Sequence, residues 1–415
     1  MNCILAIPGI ISKYFVGLSD GLSKKMRGIL LYYVTSLYLE HKRFTLTEVA
    51  RKSPNVKYQS VQYFLSEAKW DERELNVKRI EELQSHRQTK STKGGILIID
   101  DTSNKKSKNC KRTDSVAKQY SSEQEGIVNC QTSVWLNYAD KNKIWPVDLK
   151  AYWPKQAIQR AKGSNIIFKD KIELAIELIT EAISLGIEFN YLSFDNWYLC
   201  KETIEFCQQK EVRFISEVKV NRWVKWQGRW HKAGELVKLA QDKGWAVKPA
   251  KVSTVKGDDR TYFYYEFEGM LKDVTSRLRF IITRGTNEEG TVCYRMLVTN
   301  DLKAPAKEII QGYTLRWATE VCFQRLKNLF YLDQFQVHYQ KGFTRHYYLC
   351  MSAYTLILKH LMCGSFDKLT SSPPKTFEQA LHLIRDLITV ASLPTLNSDV
   401  TILIRNKDIK LKIPA

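Results

Sequence analysis

Apolar positions over the first ninety residues recur at helical spacing. The segment GLSKKMRGILLYYVTSLYLEH carries them with few strand breakers, which predicts a helix. Thr45-Leu46-Thr47-Glu48 has the form of a capping box, Thr45 accepting from an early backbone N–H while Glu48 reaches back. A short helix to about Lys52, the turn SPNV and a second helix over about Tyr58–Ala68 follow. Two short helices across a tight turn suggest a helix-turn-helix with the second as recognition helix; a plain helical hairpin has the same pattern.

At KSTKGG (residues 90–95) the chain becomes polar and glycine-containing, and beyond it the period changes. GILIID, IVNCQTSVWLNYA and KIWPVDLKAYW are rich in Ile, Val, Tyr and Trp and predict strands. IIFKDKIELAIELITEAISLG reads as an amphipathic helix ended by Gly186. The strand-like FNYLSFDNWYL, a helix near Thr203–Gln209 and the strand VRFISEVK complete the series. Three strands, helix, strand, helix, strand indicate an α/β domain with a mixed sheet. From about Val220 to Asn300 the chain is rich in Trp and Tyr, with short strands (TYFYYEFEGML, RLRFIITRG, TVCYRMLVTN) and one helix near AGELVKLAQ, a β-rich insertion. Helices return after Pro305, the first of them KEIIQGYTLRWATEVCFQRLKNLF. The expected division is a helical N-terminal domain (1–92), an α/β domain (93–219 with 301–335), the insertion (220–300) and a helical C-terminal region (336–415).

Charge narrows the partner class. Sixty-four Lys and Arg against 44 Asp and Glu give the 415-residue chain a net charge of +20, which favours a polyanion. Nine cysteines show no C-x-x-C pair, and their odd number argues against a disulfide framework and for a reducing compartment. The N-terminus lacks the basic start of a signal peptide, and no apolar run approaches the roughly 18 residues of a membrane helix. A cytoplasmic protein with no membrane partner is the expectation. The seven histidines have no H-x-x-x-H spacing for zinc.

Three acids stand out. Asp101 follows GILIID and Asp195 follows YLSF, each at the C-terminal end of an apolar strand, where open α/β sheets carry functional groups. Glu320 sits in YTLRWATEVCFQRLK with Tyr313, Arg316 and Lys327 at spacings that share one face of a continuous helix. Carboxylates from neighbouring strand ends are costly together unless a cation lies between them, and Mg²⁺ takes a few carboxylates with phosphate oxygens. A strand-end Asp also forms turns, and Glu320 also suits an ion pair with Arg316. Asp100 is the alternative first acid, which alternation points away from the site if Asp101 points in.

Tyr, two residues, Arg, three residues, Glu, six residues, Lys: Tyr313, Arg316, Glu320 and Lys327 fit every spacing of the signature of one group of insertion-sequence-4-like transposases. Asp100-Asp101-Thr102 matches that family's acid–Asp–Thr segment and favours Asp101, and Asp195 matches its second Asp. Over about residues 95–335 the chain resembles a DDE-type insertion-sequence transposase. The resemblance implies an RNase H-like mixed sheet interrupted by a β-rich insertion, with helical terminal regions. It implies that Asp101, Asp195 and Glu320 hold two Mg²⁺ or Mn²⁺ ions. Cut-and-paste transposition would follow: water cuts a strand at the transposon end, and the freed 3′-hydroxyl later joins target DNA. Double-stranded DNA is then the partner, and pairing two ends implies a homodimer on DNA. Tyr313, Arg316 and Lys327 would handle DNA. Where hairpin-forming relatives place a base-stacking Trp this chain has Arg295, beside Tyr294; either can stack on a base, as can Trp223, Trp226, Trp230 or Trp245. A basic loop after Asp101 supplies Lys105, Lys106, Lys108, Lys111, Arg112 and Lys118, suited to tracking a DNA backbone. A nuclease that cuts without joining, or a non-catalytic DNA-binding descendant, are the rival readings.

Overall fold

The computed structural model describes residues 3–393 apart from 111, 122–124, 162–165, 254–257, 287–289 and 335–336, together with the backbone of 402–404 and 407–409. Five helices open the chain: α1 (Gly9–Leu18), α2 (Lys24–Tyr38), α3 (Leu46–Lys52), α4 (Tyr58–Ser66) and α5 (Glu72–Gln84). Thr45 caps α3 by accepting from the Glu48 amide at 3.2 Å. Glu48 pairs with Arg51 at 2.6 Å, a contact the capping-box reading did not anticipate. Helix α4 buries Val61, Phe64 and Leu65 and leaves Tyr58 and Tyr63 exposed.

The first sheet strands are β1 (Ile96–Lys105), β2 (Ala117–Ser121), β3 (Gly126–Ala139) and β4 (Ile144–Tyr152). Then come α6 (Lys155–Arg160), α7 (Lys171–Ser184), β5 (Tyr191–Phe194), α8 (Lys201–Gln209) and β6 (Phe214–Glu217). Strand β1 pairs antiparallel with β3 and parallel with β5, β3 antiparallel with β4, and β5 parallel with β6. The spatial order β4–β3–β1–β5–β6, with an opening antiparallel meander and two parallel strands after it, is the RNase H-like arrangement that the resemblance implies. Helix α7 begins later than its apolar pattern suggests, at an Asp170–Glu173 capping box.

The insertion comprises β7 (Trp223–Trp226), β8 (Arg229–Lys232), α9 (Ala233–Asp242), β9 (Lys248–Ser253), β10 (Asp259–Leu271), β11 (Leu278–Thr286) and β12 (Val292–Thr299). It is β-rich as expected but is not a separate sheet. Strand β12 pairs with β6, Leu297 opposite Glu217, so core and insertion form one continuous 12-stranded sheet. Trp226 and Trp245 pack with Tyr265 and Phe267 inside it, whereas Trp223 and Trp230 are exposed beneath Lys232 and Lys225.

The last helices are α10 (Ala306–Leu315), α11 (Ala318–Phe330), α12 (Gln340–Met362) and α13 (Phe377–Ala391). The continuous helix expected over 307–330 is broken at Arg316–Trp317. Successive amides there bond three residues back, Arg316 to the Tyr313 carbonyl at 3.1 Å and Glu320 to that of Trp317 at 3.2 Å. Thr314 Oγ1 donates to the Ile310 carbonyl at 2.8 Å, a back-bond that bends helices. The tighter turn changes how Glu320 is set relative to Arg316.

Every residue of α12 from Arg345 to Leu358 is buried. It packs against α2, α4, α5, α11, α13 and β4, so N- and C-terminal regions that are distinct in sequence share one helical layer. No helix among the described residues is long and apolar enough to cross a membrane. His346 ties this layer together. Its Nδ1 lies 2.8 Å from the Tyr33 hydroxyl and its Nε2 3.2 Å from the Tyr331 carbonyl, so Nε2 carries the proton. Burial pushes His346 down to about 3. The unfolded chain, with histidine near pKa 6.5, therefore takes up the proton first as pH falls. The contribution of neutral His346 is intact above that value and lost progressively toward pH 3, by up to about 1.4 kcal/mol per pH unit. Urea unfolding from pH 7 to 4 is expected to show this slope, and His346→Gln to flatten it; equal slopes in the two proteins refute the assignment.

Candidate active site

The sheet ends in a cleft of about 900 Å³ whose walls include Asp100, Asp101, Tyr152, Lys171, Asp195, Trp197, Lys219, Glu320 and Lys327. The β1–β5 register, Ile99 opposite Phe194, carries on to Asp100 beside Asp195. Asp100 also lies opposite Trp135 of β3, and Trp135 packs edge-on against Phe323 of α11 at 5.6 Å. Residues directly opposite across an antiparallel pair share a face. Asp100 thus faces α11, the helix that carries Glu320 in its first turn. Asp101 faces the other way, toward α7, where Lys171 Nζ pairs with its Oδ2. Of the two neighbouring acids, Asp100 lies on the α11 face of β1 and Asp101 on the α7 face. Both residues line the cleft, and β1 continues past them to Lys105, so the sequence expectation of a strand-end acid holds for Asp195 but not for the first acid.

Arg316 Nη1 lies 3.8 Å from Asp100 Oδ2. Asp195 Oδ1 accepts from the amides of Trp197 at 2.9 Å and Tyr198 at 3.4 Å. Burial pushes Asp100 up to about 7, against the pull of Arg316 and with added repulsion from Asp101 and Asp195. Burial also raises Asp195, which those amides and Arg316 oppose. For Arg316 burial works against the charge, yet Tyr313, Asp100 and Asp195 hold it above the ordinary arginine value. Crowded, desolvated carboxylates of this kind are where a divalent cation is most strongly favoured.

Among the described residues no three His, Cys, Asp or Glu side chains close into a group that could hold a metal ion. Arg316 answers the charge of Asp100 and Asp195, and Lys171 that of Asp101. The donor chemistry nonetheless suits Mg²⁺ or Mn²⁺: the hard carboxylate oxygens of Asp100, Asp101, Asp195 and Glu320 line one cleft, and the buried Tyr198 hydroxyl beside them lacks a hydrogen-bond partner.

Glu217, at the end of β6, is the residue that sequence reasoning passed over. Its Oε2 accepts from the Tyr313 hydroxyl at 2.6 Å and lies 3.2 Å from Arg295 Nη1. Burial pushes the Tyr313 phenol up to about 12. Glu217 so gathers two of the DNA-binding candidates at one edge of the site. Its signal was available, since within VRFISEVK the run FIS is followed by an acid, as YLSF is by Asp195. Lys327 lines the cleft as the spacing suggests. The basic segment is placed differently. Strand β1 runs on to Lys105, so the loop starts later than expected, and burial depresses Lys106. Lys105, Lys108 and Arg112 are exposed but do not line the cleft, and Lys111 lies outside the described residues.

A family model described as DDE superfamily endonuclease matches residues 17–253, more than half of the chain. The chain belongs to the DDE superfamily endonucleases. A second model, described as transposase DDE domain, matches residues 170–356, which include Asp195, Glu320 and the Tyr–Arg–Glu–Lys stretch. A relative named as the probable transposase for insertion sequence element IS701 of Microchaete diplosiphon is 27% identical over 192 residues, 46% of this chain and 48% of that protein. The match thus spans about half the length of this curated relative. A solved piggyBac transposase synaptic complex with hairpin DNA aligns over 93% of this chain and 78% of its own, with TM-score 0.46 and 8% identity. The DDE membership suggested by the sequence is upheld by both family models.

Proposed function

We propose that the chain is an insertion-sequence transposase that cuts and joins DNA at this cleft. The observation that carries this reading is the position of Asp100, midway along β1 where its parallel pairing with β5 stops, beside Asp195 just past the end of β5, on the side of the helix of Glu320. Asp100, Asp195 and Glu320 would hold Mg²⁺ or Mn²⁺, two ions in the full site. Ions bound there supply activation of an attacking oxygen and neutralisation of charge at the phosphate. The remaining work falls to the chain's own side chains. Arg316, Lys219 and Lys327 bind phosphate oxygens. Tyr313 and Arg295, held ready on Glu217, contact the same backbone. The exposed Trp197 offers a flat face at the rim for an unpaired base. Cut-and-paste transposition needs two such sites on paired ends, hence a homodimer on DNA.

The test is a supercoiled plasmid carrying the ends of the element that encodes this chain, incubated with Mg²⁺. Asp195→Ala and Glu320→Ala are each expected to lower end cleavage roughly a thousandfold or more. Undiminished cutting by either variant sinks the reading. Precut ends offered with target DNA then score joining; cutting without joining leaves a nuclease.

A further inference from the structure

Lys171 opens α7, where the positive end of the helix dipole disfavours a cation and where Asp170 and Glu173 supply the acids a helix start prefers. Its ammonium lies 5.7 Å from the centre of the Tyr152 ring and 5.4 Å from that of Trp197, and it ends on Asp101. Three segments thus meet on one charge: the end of β4, the start of α7 and the turn after β5. The Lys171 and Asp101 side chains are only 20% and 27% exposed. Two aromatic rings flank the ammonium and hold it in place beside Asp101.

We propose that Lys171 is a positioning residue whose ion pair with Asp101 withdraws that carboxylate from the metal-holding set, leaving Asp100, Asp195 and Glu320 to hold the ion. The inference rests on the metal-dependent reading above. Without Lys171, Asp101 offers a competing ligand on the opposite face of β1, adjacent to Asp100. Without Asp101, an unanswered ammonium repels the incoming cation. The two losses act in opposite directions, and removing both together cancels them.

Mn²⁺ alone, titrated calorimetrically into the full chain, reads this directly. Lys171→Met keeps the aliphatic packing between the rings and removes the charge. It is expected to tighten Mn²⁺ binding about tenfold while Mn²⁺-supported plasmid nicking falls. Asp101→Asn is expected to weaken binding about tenfold, and the double variant to return within about threefold of the parent. Lys171→Arg keeps the parent affinity. Melting curves on each variant separate a lost fold from a lost charge, and Lys171→Gln replaces Lys171→Met should the latter not fold. If Asp101 ligates the ion, Asp101→Asn abolishes binding as fully beside Lys171→Met as alone, which overturns the proposal; unchanged affinity in both single variants overturns it too. Asp195→Asn is the control. Intact Mn²⁺ binding in that variant brings down the metal reading and this inference with it. Lost binding there, with no recovery in the double variant, brings down the ion pair alone.

Discussion

Asp100→Asn is expected to reduce DNA cleavage roughly a thousandfold or more, and Asp101→Asn only about tenfold. The two residues are neighbours with the same side chain, so composition and local propensity cannot separate them. What separates them is the face of β1 from which each projects. Asp100 has Arg316 at 3.8 Å and stands beside Asp195, whereas Asp101 is engaged by Lys171. The same Asp100 variant is expected to be more stable than the parent in chelator at pH 8. Burial holds the folded carboxyl near 7, above the value near 4 of an unfolded chain. For an acid raised in this way, the favourable contribution is complete below the unfolded value and lost as pH rises through 7. Asn avoids that loss, a gain of about 2–4 kcal/mol at pH 8 and almost none at pH 4. Urea unfolding at the two pH values measures it. Equal cleavage losses for the two Asn variants, or a larger loss at Asp101, return the first acid to Asp101.

Arg345→Ala is expected to destabilise the protein by about 3–5 kcal/mol. The guanidinium is fully buried and every arm of it is used. Its Nη1 donates to the carbonyls of Phe64 at 3.0 Å and Leu65 at 3.2 Å, and its Nη2 to those of Ala68 at 2.8 Å and Trp70 at 2.7 Å. Its Nε pairs with Glu72 at 3.1 Å, and the group stacks 4.3 Å from the Trp70 ring centre. Truncation strips four carbonyls of their donor and leaves Glu72 unanswered. Those carbonyls belong to the end of α4 and the link to α5. The variant is therefore expected to loosen α4 and the α4–α5 link before the cleft itself is disturbed. Denaturant unfolding gives the first quantity. Hydrogen exchange, with protection lost first over residues 58–72, gives the second. A loss below about 1 kcal/mol contradicts the account.

Much of the architecture is legible in the chain because the periods are strong. The run IELAIELITEAIS repeats its apolar positions every three to four residues as a helix must, and β10, β11 and β12 lie within a few residues of their apolar segments. The two acid-bearing strands could be located, although β1 continues past its acids to Lys105. The face of β1 could not, since Ile96–Ile99 are all buried and a strand covered on both sides has no alternation to read. The break at Arg316–Trp317 is invisible to periodicity because neither residue disfavours helix; it comes from a Thr back-bond and three-residue hydrogen bonds. Strands β7 and β8 are too short and polar to stand out, and exist because β10 gives them an edge to pair with. Arg345 and His346 read as the polar side of a surface helix, and only the tertiary packing shows that α12 has no such side.

That buried helix also sets an order of events during synthesis. The partners of α12 in α2 and α4 precede it by some three hundred residues: Tyr33 and His346 are 313 positions apart, Phe64 and Arg345 281. A nascent chain that has released only its first ninety residues has no covering for Tyr33, Tyr38, Phe44 or Phe64, all buried in the finished protein. The N-terminal helices complete their packing only after α12 has left the ribosome, when both acid-bearing strands and Glu320 have already been made. The contacts are highly non-local, so assembly is slow and its intermediates expose apolar surface. A prematurely terminated chain therefore lacks a finished N-terminal helical layer as well as a finished cleft.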